Sequence, residues 1–503
     1  MLINLLRKNH LFLSVLTDPI NTPSIDSESN EGALDYDSSI DIRYKLFWSL
    51  WAVATLFHMA NDRIFTDEMH YVLLSFAAVF LILKPWSIIR LLFFLSLQLY
   101  ESLKMMPYIS NHWIFTTLVN LTILHALAYL VIKRRRFRIN RVDFYKTFAP
   151  LVRAEVIILY FFVVLHKLNT SFFSPDISCA TDFFVSQNPL SSLTLTNGVL
   201  LLNAYATVII ETLIPVLLCF RRTRNLGVLL GLSFHFIIAY NPLNGFYDFS
   251  SMLFAAYVLF TDNKFSGYIF KLYKKAQGLK ALSKEQFYRF SILKLVTALV
   301  LFVFGVVVLH FLAKNFTDFF RHICWTTYGV VFIIVFSKAV FSKENSNTLS
   351  SSDSFKLKHY SLLLFPIIVF INGLCPYLGL KTENSFAMFS NLRTEGGVTN
   401  HLFIPVETQI FDFQKDVVEV ISSSDENLQN LANSQKLMVY HNFKKYIASK
   451  KPDSVKYIRN GQEYTYTKAN AALHSELTSL NPIHVKFLQF RSFNKYEPQP
   501  CSH

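Results

Sequence analysis

The sequence predicts an all-α polytopic membrane helix bundle of about 10 to 11 spans, followed by a small C-terminal extracytoplasmic α+β domain. Three observations lead there. Hydrophobic residues make up 52% of the 503 and charged ones 16%, whereas a soluble chain carries about 25% charged residues. Apolar runs long enough to cross a bilayer recur through the first three quarters of the chain. The basic residues gather in short blocks between alternate runs, and beyond the last run the composition changes to alternating, strand-like stretches.

The elements follow in order. Residues 1–43 form a cytoplasmic N-terminal segment. Its opening, MLINLLRKNHLFLSVLTDP, has an apolar core too short and interrupted for a secretory signal. Residues 20–42 are rich in Ser, Asp and Glu and read as a mobile acidic linker. A transmembrane helical domain covers 44–378, with candidate spans at 44–60, 69–85, 87–103, 113–132, 150–168, 197–219, 225–241, 248–262, 291–312, 324–341 and 359–378. The pairs 69–85/87–103 and 225–241/248–262 are short and tightly turned, so one member of each can be buried or tilted. With 50 Phe and only 14 Gly, the bundle is expected to be filled by bulky side chains rather than by small-residue crossings.

Charge fixes the orientation, because Lys and Arg accumulate in short cytoplasmic loops. Lys133, Arg134, Arg135, Arg136, Arg138, Arg141 and Lys146 follow the fourth span, and Arg221, Arg222 and Arg224 follow the sixth. The segments 169–197 and 240–249 carry neither Lys nor Arg. The first set is therefore cytoplasmic and the second lies outside, which puts the N-terminus in the cytoplasm and the extracytoplasmic domain, 379–503, on the far side. An integral, multi-pass protein of the bacterial inner membrane is the expected setting. The net charge of +14 then serves topology, and no nucleic-acid partner is expected. The five cysteines show no CxxC spacing, so neither a structural zinc nor a disulfide framework is expected. In the last domain, HLFIPVETQIFDF and SVKYIRNGQEYTYTKA read as strands, the latter as a hairpin about Asn460-Gly461. DENLQNLANSQKLMVYHNFKKYIA reads as one helix.

Ionisable groups at membrane depth are costly and need a partner, a cavity or a task. The candidates are His125, Glu155, His166, Lys167, Glu211 and His235. Lys167 stands at the outer end of an unbroken apolar helix, where the topology rule least expects a cation. A low dielectric favours the neutral form of an amine, and a neutral amine is a usable base; the plain alternative is a lysine that snorkels to the interface. Glu211 reads as an ion-pair or hydrogen-bond anchor. His112 lies on the same outer side as Lys167, and Tyr240, Asn241 and Asp248 crowd an outer turn whose Pro242 and Gly245 are ordinary turn residues. Neither a metal-ligand pair nor a phosphate-binding loop is visible, so no metal is expected.

YFFVVLHKLNTSFF resembles the Lys-Lys-Leu-Asp segment of the vitamin K-dependent γ-glutamyl carboxylases and of the horizontally transferred transmembrane domain in their bacterial relatives. SNHWIFTTLVN is similar to that family's Asn-Asn-His segment, and SFHFIIAYNPLNGFYDFSSML to its Phe-His helix pair. CPYLGLKTENSFAMFSNLRTEGG sits where the family's chain leaves the membrane. The resemblance spans roughly residues 40–420. It implies Lys167 as catalytic base and His112 as a second catalytic residue, with His166 and Asn169 standing where the family has Lys and Asp. His166, Asn169, His235, Tyr240, Asn241 and Asp248 are then candidate substrate-binding residues. The implied activity is that of a quinol-epoxidising lyase or oxidoreductase: reduced vitamin K or a related quinol is oxidised with O2, and a substrate, including an extracytoplasmic protein, is carboxylated with CO2. The alternative is a non-catalytic membrane protein that binds or transports a lipid or partner.

Overall fold

A computed structural model describes residues 36–60, 68–137, 139–187, 195–243, 245–278, 317–341 and 355–501. The span expected at 291–312 lies outside them. Helices α1 (Tyr36–Ala60), α2 (Met69–Leu83), α3 (Ile88–Met105), α4 (Asn111–Arg134), α5 (Arg141–Lys167), α6 (Cys179–Gln187), α7 (Asn197–Cys219), α8 (Arg224–Ile238), α9 (Tyr247–Val258), α10 (Asn263–Gly278), α11 (Thr317–Phe341) and α12 (Leu364–Leu378) follow in that order. Ten of them coincide with expected spans, within a few residues except at some N-termini. The largest shift is in α5, which starts at Arg141 rather than 150. Asn140 caps it by accepting from the Val142 N–H at 2.8 Å. Pro150 removes only one intrahelical bond and does not stop it. The short helices α6 and α10 carry too little apolar length to have been read as spans.

Among the described residues, five helical segments are long and apolar enough to cross a membrane: Asn111–Arg134, Arg141–Lys167, Asn197–Cys219, Arg321–Phe341 and Tyr360–Leu378. The outward faces of two of them stay apolar, with Leu202, Ile209 and Leu213 of α7 and Val331 and Ile334 of α11 exposed. A continuous apolar surface of that kind is rare on a protein surrounded by water.

At the centre lies α9, only 12 residues long, which packs along α1 and is enclosed by protein. It is the buried member of one of the two short pairs. Two buried arginines cap its C-terminus: Arg153 donates to the Leu259 carbonyl at 2.6 Å and Arg43 to that of Thr261 at 2.9 Å. The first satisfies the carbonyl of the C-cap residue and the second one three residues beyond Val258, where the helix ends, and both place positive charge near the negative end of its dipole. Around it Trp48, Trp51, Phe47, Phe115 and Phe148 fill the core, as the Phe-rich, Gly-poor composition anticipates. Gly373 is an exception, since a Cβ there would fall 2.2 Å from the Phe162 ring.

The two ends of the bundle differ in chemistry. At one end Arg141 pairs with Asp41 at 2.7 Å, Lys146 with Asp37 at 2.9 Å, and Lys358 donates to Thr147 at 2.9 Å. At the other, the turn after α3, the segment around α6 and the last part of the chain meet. Asn384 donates to the Pro107 carbonyl at 2.6 Å, Asn391 accepts from the Cys179 N–H at 2.9 Å, and a disulfide joins Cys179 to Cys501. That bridge corrects the expectation of no disulfide. Its two thiols are 322 residues apart in sequence, and no spacing rule reaches so far.

Beyond α12 the chain builds a five-stranded antiparallel sheet, in the order β4-β3-β1-β2-β5, from β1 (Val417–Ser423), β2 (Lys436–Val439), β3 (Ser454–Arg459), β4 (Gln462–Thr467) and β5 (Phe493–Asn494). The Asn460-Gly461 hairpin is present, with Arg459 opposite Gln462 and both turn residues at positive φ, as a two-residue turn of this kind requires. Two expectations are corrected. The stretch 401–413 forms no strand and contains only a 3-10 turn, Val406–Thr408, and a bridge between His401 and Asn169. The expected single helix over 425–448 divides into α13 (Glu426–Asn433), β2 and α14 (Tyr440–Lys450). Gln435 takes a φ of 51°, and residues 437–439 leave helical geometry to pair with β1, a tertiary pairing that overrides local propensity.

Candidate functional site

Three helix ends converge on one point. His58 lies in the last turn of α1, His112 in the first turn of α4 and Asp248 in the first turn of α9. Asp248 Oδ2 is 3.0 Å from His58 Nδ1 and 2.9 Å from His112 Nε2, and the two ring nitrogens are 3.5 Å apart. The other carboxylate oxygen, Oδ1, accepts from the Phe249 N–H at 2.7 Å. His58 is held flat against Trp113, with ring centroids 3.8 Å apart, and Ser110 Oγ stands 3.3 Å from His112 Nε2. His58 and Asp248 are buried at 2% and 8% exposure. Beneath the cluster a polar chain crosses three helices. Gln98 donates to Thr55 at 2.7 Å, Asn120 to Gln98 at 2.8 Å and Trp51 to Asn120 at 3.1 Å.

Above the cluster opens a cavity of about 810 Å³ between the ends of the helices and the last part of the chain. His112, Asp248 and Ser110 line its floor, Phe246, Phe249 and Phe389 its apolar side, and Glu383, Asn384 and Arg491 its polar roof. Such a volume suits a small organic ligand, and its lining is mixed, with polar and apolar surface in nearly equal measure. The roof is held in an unusual backbone. Asn384, Phe386, Phe389 and Asn391 all have φ between 53° and 65°, a left-handed conformation that costs L-residues free energy and persists only where surroundings enforce it. The enforcing contacts are visible. Asn111 accepts from the Phe386 N–H at 2.7 Å, and the fully buried Phe386 ring meets Phe115 at 6.1 Å. Burial pushes the Glu383 carboxyl above its ordinary range, and the nearby Arg491 guanidinium offsets part of that rise.

Lys167 lies elsewhere. It is buried, at 6% exposure, and its Nζ sits 2.7 Å from Glu211 Oε2, so Glu211 is the anchor its sequence context suggests. Lys167 does not line the cavity. His235 belongs to a separate buried group, with Tyr160 Oη 2.6 Å from its Nε2 and hydrogen-bonded to Tyr257. The Phe249 ring lies between the two histidine groups, 6.3 Å from His112 and 5.3 Å from His235.

The other candidates hold the framework. His166 bridges the Tyr377 hydroxyl at 2.9 Å and the Ser385 carbonyl at 3.2 Å. Asn169 donates to the carbonyls of His166 and Ser390 at 2.8 and 2.6 Å. Tyr240 meets Thr326 at 2.6 Å, and Asn241 donates to the Phe183 carbonyl at 3.3 Å. None of these four lines the cavity. Of the sequence-derived candidates, the structure brings His112 and Asp248 together at the cavity and pairs Lys167 with Glu211 away from it, and it adds His58 to the first group. The signal for His58 was present in the sequence: a histidine ending the first apolar run, on the same side as His112 by the count of crossings. No family model matches the chain, and no curated protein or solved structure is significantly similar to it.

Proposed function

We propose that the chain is a multi-pass membrane enzyme of the vitamin K-dependent carboxylase-like kind, with its N-terminus in the cytoplasm, and that it oxidises a lipid-soluble quinol in the cavity above His112 and Asp248. The observation that carries this reading is that cavity, set at the end of an apolar bundle and floored by an imidazole hydrogen-bonded to a carboxylate. A quinol ring reaching it from the bilayer would bury its faces against Phe246, Phe249 and Phe389. One of its hydroxyls would reach the floor, where His112 can stabilise developing oxyanion charge. In the scheme the resemblance implies, Lys167 is the base; since it does not line this cavity, it would act on the quinol through an intervening proton carrier and not by direct contact. Its partner Glu211 holds the amine in place through a contact of 2.7 Å. O2 and CO2 complete the reaction, and a carboxylated substrate, including a protein, would enter from the extracytoplasmic side.

A second reading is favoured by the ion pair itself. A lysine bonded to Glu211 and away from the cavity can be purely architectural, in a protein that binds or transports a lipid or partner without chemistry. The test is epoxide formation from reduced vitamin K and O2 by the purified protein. The functional reading expects turnover by wild type and none by Lys167→Arg, whose guanidinium stays protonated. Absence of turnover in wild type with both naphthoquinols and benzoquinols sinks it, and full activity in Lys167→Arg removes the base assignment.

Sidedness is tested separately. Val185 and Phe137 are exposed at opposite ends of the bundle. In intact cells, Val185→Cys is expected to react with a membrane-impermeant thiol reagent and Phe137→Cys is not; the reverse pattern overturns the orientation.

A further inference from the structure

We propose that His58, His112 and Asp248 hold a divalent first-row transition metal whose remaining coordination positions face the cavity. The first support is the shape of the triangle. Ligand atoms bonded to one tetrahedral metal at about 2.0–2.1 Å lie about 3.3 Å from one another. The three separations here are 2.9, 3.0 and 3.5 Å. Hydrogen bonding explains the two contacts to the carboxylate, but it does not require the two ring nitrogens to be aimed at each other as well. A shared cation explains all three edges.

The donor set points the same way. Two imidazoles and one carboxylate suit zinc and ferrous iron alike, and such three-ligand sets leave positions open for a water or a substrate oxygen. His58 is the buried back of the set, while His112 and Asp248 line the cavity floor, so the open side is the side a ligand would reach. The ligands are also fixed in advance. The Trp113 ring fixes the plane of His58, and the Phe249 N–H holds Asp248 Oδ1 at 2.7 Å, leaving Oδ2 for the metal. A divalent ion balanced by a single carboxylate keeps a net positive charge and would favour an anionic oxygen in the cavity.

This assignment stands on the geometry of three side chains and not on the quinol reading, and one set of measurements separates the two. Protein purified in detergent is stripped with a chelator and titrated with Co(II), whose visible absorption reports coordination by nitrogen and oxygen, and in parallel with Zn(II) and Fe(II). Saturable binding of one ion per chain is expected. His58→Ala and Asp248→Ala should weaken it more than about 100-fold, beyond what loss of a supporting hydrogen bond costs, and Tyr240→Phe should leave it unchanged. Bound metal should also raise the melting temperature of wild type but not of His58→Ala. Absence of saturable binding by wild type overturns the site whatever the variants do, and so does unchanged affinity in His58→Ala. Metal bound without quinol turnover leaves the site standing and removes the functional reading. Quinol turnover by stripped protein that rebinds no metal does the reverse.

Discussion

Lys167→Ala is expected to destabilise the folded protein by about 3–5 kcal/mol, because it leaves a carboxylate buried without its counter-charge. Glu211 is 8% exposed, and Lys167 is its ion-pair partner at 2.7 Å. Removing both charges together is a different experiment. Lys167→Met combined with Glu211→Leu should recover most of the loss, since an apolar pair of similar volume often replaces a buried ion pair at little cost. Equilibrium unfolding in mixed micelles checks both. A single variant as stable as wild type shows that the pair does not stabilise the bundle, and a double variant as damaged as the single shows that the unpaired carboxylate is not the cause of the loss. The comparison also bears on function. A loss of activity in Lys167→Ala alone is ambiguous, because the protein it reports on is weakened; Lys167→Arg keeps the charge and isolates the chemistry.

Cys501→Ser is expected to cost about 2–5 kcal/mol through the longer loop it frees in the unfolded chain. The bridge it removes spans 322 residues of sequence and clips the last part of the chain to the segment beside α6. Wild type should run faster on non-reducing gels than after reduction, and Cys501→Ser should run at the reduced position under both conditions. Melting temperatures measured under the same two conditions should then fall for wild type alone. Quantitative alkylation of Cys179 in untreated wild type shows that the bridge does not form. Because disulfides persist in oxidising compartments, the same gel tests the extracytoplasmic placement of 379–503.

What was legible in the sequence was what obeys a short-range rule. The apolar runs of α4, α7 and α12 gave their positions because a spanning helix has a length and a composition. Asn460-Gly461 gave its hairpin because two consecutive residues at positive φ admit few side chains. Residues 425–448 misled because α13 and α14 are both helical and only pairing with β1 turns 437–439 into a strand. The candidate site was half legible. His112 and Asp248 stood out as polar groups on the outer side, yet nothing in their spacing tied them to His58, 54 and 190 residues away. The separation of Lys167 from the cavity was equally hidden, because an argument from sidedness places residues at the same depth without saying which face of a helix they occupy.

Asn111 and His112 are adjacent, and they work in opposite directions. The first grips the Phe386 N–H at 2.7 Å while the second touches Asp248 at 2.9 Å. A single turn of helix therefore acts as a latch, with the cavity roof fastened on one side and the polar floor on the other. Prying the last part of the chain away would release Phe386 from its left-handed backbone and, by the same movement, disturb the turn that aims His112. Roof and floor thus share one turn of helix, so that a substitution at Asn111 is expected to reach the imidazole beside it.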